Sequence, residues 1–146
     1  MGWSPKTIVV GVDGSEVSTS AAESAADIAR HWKARLVVVT VVRPPEGWWG
    51  IGGQPPTPEA LAEAVTKGQE EVLGALEDQL DLEGLDYELV GEIGDPTNQL
   101  LAICDSQNAD VLVIGRRGAG LAERVLLGSV ADRLTHHSKI PVLVIP

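Results

Sequence analysis

Four stretches of the chain are almost unbroken runs of Val, Ile and Leu: Ile8–Val12, Leu36–Val42, Val111–Ile114 and Val142–Ile145. None alternates cleanly with polar residues, and continuous apolar runs of this length suit strands buried on both faces of a parallel sheet. A fifth run, Tyr87–Ile93, alternates in part and predicts a weaker strand. Helical patterns fill the gaps. After Asp13-Gly14, residues Ala21, Ala25, Ile28, Ala29 and Trp32 recur at helical spacing. Ser20 and Glu23 fit a capping box for that helix, while Ser15 and Ser18 offer earlier starts. Thr57-Pro58-Glu59 announces a second helix, with Thr57 as N-cap and an apolar stripe of Leu61, Val65, Val72, Leu76 and Leu80. Asp95-Pro96 opens a third in the same way, with Leu100, Ile103 and Cys104 facing inward. A fourth begins near Ser129 and carries Val130, Ala131 and Leu134.

The predicted order is β-α-β-α-β-α-β-α-β. Such alternation implies an α/β fold: a parallel sheet with helices on both faces and right-handed crossovers. A chain of 146 residues that is 44% hydrophobic is expected to form one domain, residues 1–146, with a core that needs no disulfide. Between Arg43 and Thr57 runs a loop rich in proline and glycine that carries Trp48-Trp49. Loops of that length in a compact domain are usually functional or mobile.

Charge narrows the ligand classes. A net charge of −10 argues against non-specific binding to nucleic acid, which needs a basic surface. No run is apolar for long enough to span a membrane or act as a signal peptide, and Lys6 breaks a myristoylation pattern. The single cysteine, Cys104, suits a reducing compartment. These features predict a cytoplasmic protein that binds neither membrane nor nucleic acid.

In open α/β sheets ligands bind beyond the carboxyl ends of the strands, where the strand order reverses. Two predicted strand ends carry unusual residues. The first ends in Gly11-Val-Asp13-Gly-Ser15. The fourth runs into Gly115-Arg-Arg-Gly118-Ala-Gly120, with Gly128-Ser129 at the entry to the last helix. Glycines there leave backbone N–H groups unshielded, and a helix N-terminus adds donors and partial positive charge suited to phosphate. Arg116, Arg117 and Arg124 gather on an otherwise acidic chain. The plainer alternatives are a tight glycine turn, a solvated arginine loop, and an Asp13 that only caps the first helix. No G-x-x-x-x-G-K-[ST] and no G-x-G-x-x-G occurs. His136-His137 lie near a predicted helix C-terminus, a favourable place for cations, and Cys104 falls in an apolar stripe. No Ser/His/Asp or Cys/His set emerges from spacing.

The stretch Gly115-x2-Gly118-x9-Gly128-Ser129 resembles the ATP-binding motif of the universal stress protein family. Ile8-Val-Val-Gly-Val-Asp-Gly-Ser15, Asp110-Val-Leu-Val-Ile-Gly115, Leu126-Leu-Gly-Ser-Val-Ala131 and Pro141-Val-Leu-Val-Ile145 resemble its first strand, fourth strand, helix entry and closing strand. The resemblance implies a single five-stranded parallel sheet, order 3-2-1-4-5, with a Rossmann-like fold of the adenine nucleotide α-hydrolase type. It implies that Gly11 and Val41 flank an adenine, Val41 through its backbone, and that Asp13 holds the ribose or adenine edge. Gly115, Gly118, Gly128 and Ser129 would line ribose and phosphates, with a backbone contact from Val130. Members of the family commonly pair through the last strand, here Val142, Leu143, Val144 and Ile145, which implies a homodimer. The Arg43–Thr57 loop is not part of the pattern.

The leading expectation is an ATP-binding regulatory protein of the stress response, with Mg2+ or Mn2+ as an optional bridge between phosphates and with little or no hydrolysis. A slow ATPase or phosphotransferase is the enzyme-class alternative. Phosphoryl transfer needs a positioned nucleophile, and neither Glu123 nor Asp132, the nearest acids in sequence, has a spacing that argues for a base. A structural dimer whose glycine turn binds nothing is the third reading.

Overall fold

The computed structural model describes residues 2–43, 57–117 and 128–146; Trp48, Trp49, Gly118, Gly120, Glu123 and Arg124 lie outside the described residues. Three of the four apolar runs are the inner strands of a sheet covered on both sides, and the fourth, Val142–Ile145, is an edge strand. In chain order the elements are β1 (Thr7–Val12), α1 (Glu16–Trp32), β2 (Arg35–Val42), α2 (Pro58–Gln79), β3 (Tyr87–Ile93), α3 (Pro96–Ser106), β4 (Val111–Gly115), α4 (Ser129–His137) and β5 (Val142–Ile145). All five strands are parallel and lie in the order β3-β2-β1-β4-β5, as the resemblance implied.

The two faces of the sheet receive alternate residues of each strand. Ile8, Val10, Leu36, Val38, Val111 and Val113 join the α1 alanines Ala21, Ala22, Ala25, Ala26 and Ala29, and Leu76 of α2. Val9, Val37, Val39, Leu112 and Ile114 join Leu100, Ile103 and Cys104 of α3, and Ala131 and Leu134 of α4. A strand that must be apolar on both faces cannot alternate, which is why its sequence reads as a solid run. β3 has only one strand neighbour, and its half-buried residues account for its weaker, partly alternating pattern.

Helix starts follow local hydrogen bonding. Ser15 caps α1, its side chain accepting from the Ser18 N–H. Neither the Ser20–Glu23 box nor a start at Ser18 is used, because the Ser15 cap starts the helix at Glu16, ahead of both. Trp32, placed on the inward stripe by its spacing, is 41% exposed and meets Trp3 edge-on at the end of α1. Thr57 and Asp95 cap α2 and α3 through side-chain oxygens, each followed by a proline in the first turn. α4 differs: its N-cap is Gly128, which makes no side-chain cap hydrogen bond.

β1 leads through α1 to β2 on one side, and β4 pairs with β1 on the other. The strand order therefore reverses between β1 and β4, and a crevice opens beyond their carboxyl ends.

Candidate functional site

At that reversal lies a cavity of about 320 Å3, near the lower end of the usual range for small-molecule sites. Its floor is the end of the sheet: Val39 and Val41 from β2, Gly11 and Val12 from β1, Ile114 and Gly115 from β4. Pro96 and Leu100 of α3 close one side; Gly128, Ser129, Val130 and Ala131, the first turn of α4, close another. Of the site residues expected from the sequence, Gly11, Asp13, Val41, Gly115, Gly128, Ser129 and Val130 all line this one cavity, while Gly118 lies outside the described residues.

Short backbone bonds bring the glycine turn's two ends together. The Arg116 N–H donates to the Ile145 carbonyl at 2.7 Å, and the Gly128 N–H donates to the Arg116 carbonyl at 2.8 Å. The start of α4 is thereby pinned beside the end of β4. The first N–H groups of a helix have no intrahelical acceptor. Gly128 offers no side chain to take them, and three of its neighbours in that turn line the cavity. The dipole of α4 puts partial positive charge at the same place.

Asp13 is not itself the cap of α1, which is Ser15, but its carboxylate orders the turn that leads into that cap. Its Oδ1 accepts from the Ser15 N–H at 3.0 Å and from Ser15 Oγ at 2.6 Å, a turn in which the carboxylate folds back onto its own backbone. Gly14, between them, has φ +88°, which glycine adopts without strain. The Asp13 N–H donates to Ser18 Oγ at 3.2 Å, so a buried serine orders the same turn. Asp13 is the one carboxylate among the described lining residues.

Two glycines are explained by close packing. A Cβ on Gly115 would stand 2.6 Å from Val17 Cγ1 and 3.3 Å from the Val17 carbonyl carbon, so the first turn of α1 closes over β4 only because no side chain intervenes. A Cβ on Gly11 would meet Leu100 Cδ1 at 3.0 Å, the residue that forms the apolar wall.

Sequence spacing did not single out Val39, Ser18, Pro96 or Leu100 as lining residues, nor the charge cluster at the rim. There Asp95 Oδ1 lies 3.7 Å from Arg43 Nη2 and 3.4 Å from Arg133 Nη1. The Asn98 N–H that Asp95 caps, and then the two guanidiniums, hold its carboxyl below the usual range. Arg43 and Arg117 line the cavity. The available signal for Arg43 was its place at the carboxyl end of a predicted strand, the same end as Asp13 and Gly115. Elsewhere, Cys104 is buried in the α3 core as its stripe implied, and among the described residues no group of His, Cys, Asp and Glu is arranged to hold a metal ion.

Residues 5–146 match the universal stress protein family. The chain belongs to that family. A universal stress protein of Methanocaldococcus jannaschii, MJ0531, is 31% identical over 96% of this chain and 81% of its own length. Among solved universal stress proteins, the one from Lactobacillus plantarum superposes with a TM-score of 0.79 at 21% identity, covering 97% of each chain. Another, solved in complex with cAMP, superposes with a TM-score of 0.67 at 26% identity over 99% of each chain. Among the described residues no helix is long and apolar enough to cross a membrane.

Proposed function

We propose that this universal stress protein holds an adenine nucleotide, ATP foremost, in the cleft between β1 and β4, and that it acts in the stress response as a binding protein. The observation that carries this reading is the α4 N-terminus: a glycine-capped first turn, with no side-chain cap hydrogen bond among the described residues, lining a cavity that also has an apolar wall. An adenine fits against Val39, Val41, Leu100 and Ile114. Asp13 faces the ribose or the adenine edge, and Gly11 leaves room beside the ring. Gly115, Gly118, Gly128, Ser129 and Val130 line the ribose and phosphates, with Arg117 adding positive charge. Mg2+ or Mn2+, where it accompanies ATP, would be held by the phosphates, since among the described residues no group of His, Cys, Asp and Glu is arranged to hold it. The family relative solved with cAMP supports the nucleotide class.

The site supplies amides, a hydroxyl and the Arg117 guanidinium, groups that bind ground-state phosphates. Catalysis needs groups that bind the transition state more tightly than the substrate. Hydrolysis is accordingly expected far below the median enzyme rate of about 10 per second. The protein is further proposed to be a cytoplasmic homodimer joined through β5, an edge strand whose Leu143 is exposed. The experiment is to denature the purified protein and identify released nucleotide by mass spectrometry, with added ATP titrated by calorimetry in parallel. No released nucleotide and no heat of ATP binding would refute the reading.

A further inference from the structure

The rim cluster has a geometry that the fold does not need. β2 and β3 pair in register up to Val42 and Ile93, and the Gly94 N–H then donates to the Val42 carbonyl at 3.0 Å. That last rung sets Arg43 and Asp95 side by side as the two chains leave the sheet. Asp95 Oδ2 is spent on the α3 cap, accepting from the Asn98 N–H at 3.0 Å, and Oδ1 faces both Arg43 and Arg133. The arginine side chains are 59% and 47% exposed, and exposed pairs contribute little to stability. What the cluster does accomplish is to draw the Arg43 guanidinium, with that of Arg133, to Asp95 at the rim of the cavity. Arg43 follows β2 directly, two residues beyond Val41, and lines the same cavity as Val39 and Val41.

We propose that Arg43 is a base-recognition residue, its guanidinium stacking on the adenine ring that rests on Val39 and Val41, and that Asp95 is the positioning residue that holds it there. This rests on the nucleotide reading above. A planar guanidinium stacks on an aromatic face in a way a compact ammonium does not. Tethered by a carboxylate at one end, it is ordered before the ligand arrives. The contact is to the base, so it serves adenosine, AMP and ATP alike.

The test is calorimetric titration of adenosine, AMP and ATP into the full-length protein and into R43A, D95N and R133A. Work in about 0.5 M salt screens long-range charge and leaves the stacking contact. R43A is expected to weaken all three ligands by one common factor, about threefold to tenfold. D95N keeps the α3 cap, since Asn caps as well as Asp, so its melting temperature stays that of the parent while all three ligands weaken about twofold. R133A, which leaves the Arg43–Asp95 pair in place, changes each by less than about twofold. A loss in R43A that grows from adenosine to ATP would make Arg43 a phosphate contact and overturn the proposal. So would an R43A or D95N that binds like the parent, or an R133A loss equal to that of R43A. A parent protein that binds none of the three brings down the nucleotide reading itself, an outcome distinct from a parent that binds while R43A binds equally well.

Discussion

Replacing Gly115 with alanine tests whether that glycine serves the packing of α1 rather than the ligand alone. The new Cβ would meet Val17 Cγ1 at 2.6 Å, where carbon atoms normally rest about 3.5–4.0 Å apart, so one of them must give way by about 1 Å. Val17 has little freedom to do so. It is β-branched, sits in the first turn of α1, and its rotamer is restricted by the helix. Its carbonyl carbon, 3.3 Å from the same Cβ, blocks a purely side-chain escape. The helix must therefore lift from β4. Overpacking of this kind costs about 1–3 kcal/mol, which for a chain of this size lowers the melting temperature by about 3–10 °C. Urea denaturation of the nucleotide-free protein, read by tryptophan fluorescence, measures it directly. Val17→Ala removes the offending methyl, so the double variant should recover at least about 1 kcal/mol relative to the sum of the singles. Gly115→Ala melting within about 1 °C of the parent, or single effects that simply add, would refute the steric argument.

Four further outcomes are expected. Gly128→Val should weaken ATP at least about tenfold and adenosine far less, because it crowds only the helix end assigned to phosphate; equal losses measured by calorimetry would contradict that assignment. Asp13→Ala should weaken adenosine and ATP alike, and a loss confined to ATP would show that Asp13 acts on the phosphates instead. Burial, and then the neighbouring Asp105, pushes the Cys104 thiol up to about 11 from 9.0. At pH 8 its thiolate fraction is then on the order of 100-fold below that of a free thiol, and iodoacetamide should label the native protein at least that much more slowly than the urea-unfolded chain. Comparable rates would refute it. Leu143→Lys puts like charges near one another across the proposed two-fold axis of β5 without entering the core, so light scattering should report a monomer with an unchanged melting temperature. A dimer that persists would place the interface elsewhere.

The chain's own pattern determined the strands and their parallel arrangement, because an inner strand of such a sheet is sealed by helices on both faces and must be apolar throughout. Ile8–Val12, Leu36–Val42 and Val111–Ile114 therefore announced themselves, the edge strand Val142–Ile145 was legible as a short apolar run, and Thr57 and Asp95 marked helix starts because capping is a contact between residues three apart. Where two local solutions competed, at Ser15, Ser18 and Ser20, sequence left the choice open. The full run of α1, from Glu16 to Trp32, settled it. Trp32 was misplaced for a related reason: helical spacing names a stripe, but only the end of the supporting sheet decides where that stripe stops being covered. The glycines and Ser129 of the cleft were legible as a motif. The reason Gly115 tolerates no side chain was not, since Val17 lies far away in sequence and reaches it only when α1 packs across β4. Arg43, Asp95 and Arg133 were the least legible of all. They come from the residue after β2, the cap of α3 and the second turn of α4, and nothing in their spacing links them. Strand register alone brings the first two together, and the docking of α4 beside α3 adds the third. Hydrophobic periodicity and capping are short-range and are written along the chain. Side-chain constellations depend on which strand ends the topology makes neighbours, and that is decided only when the sheet is assembled.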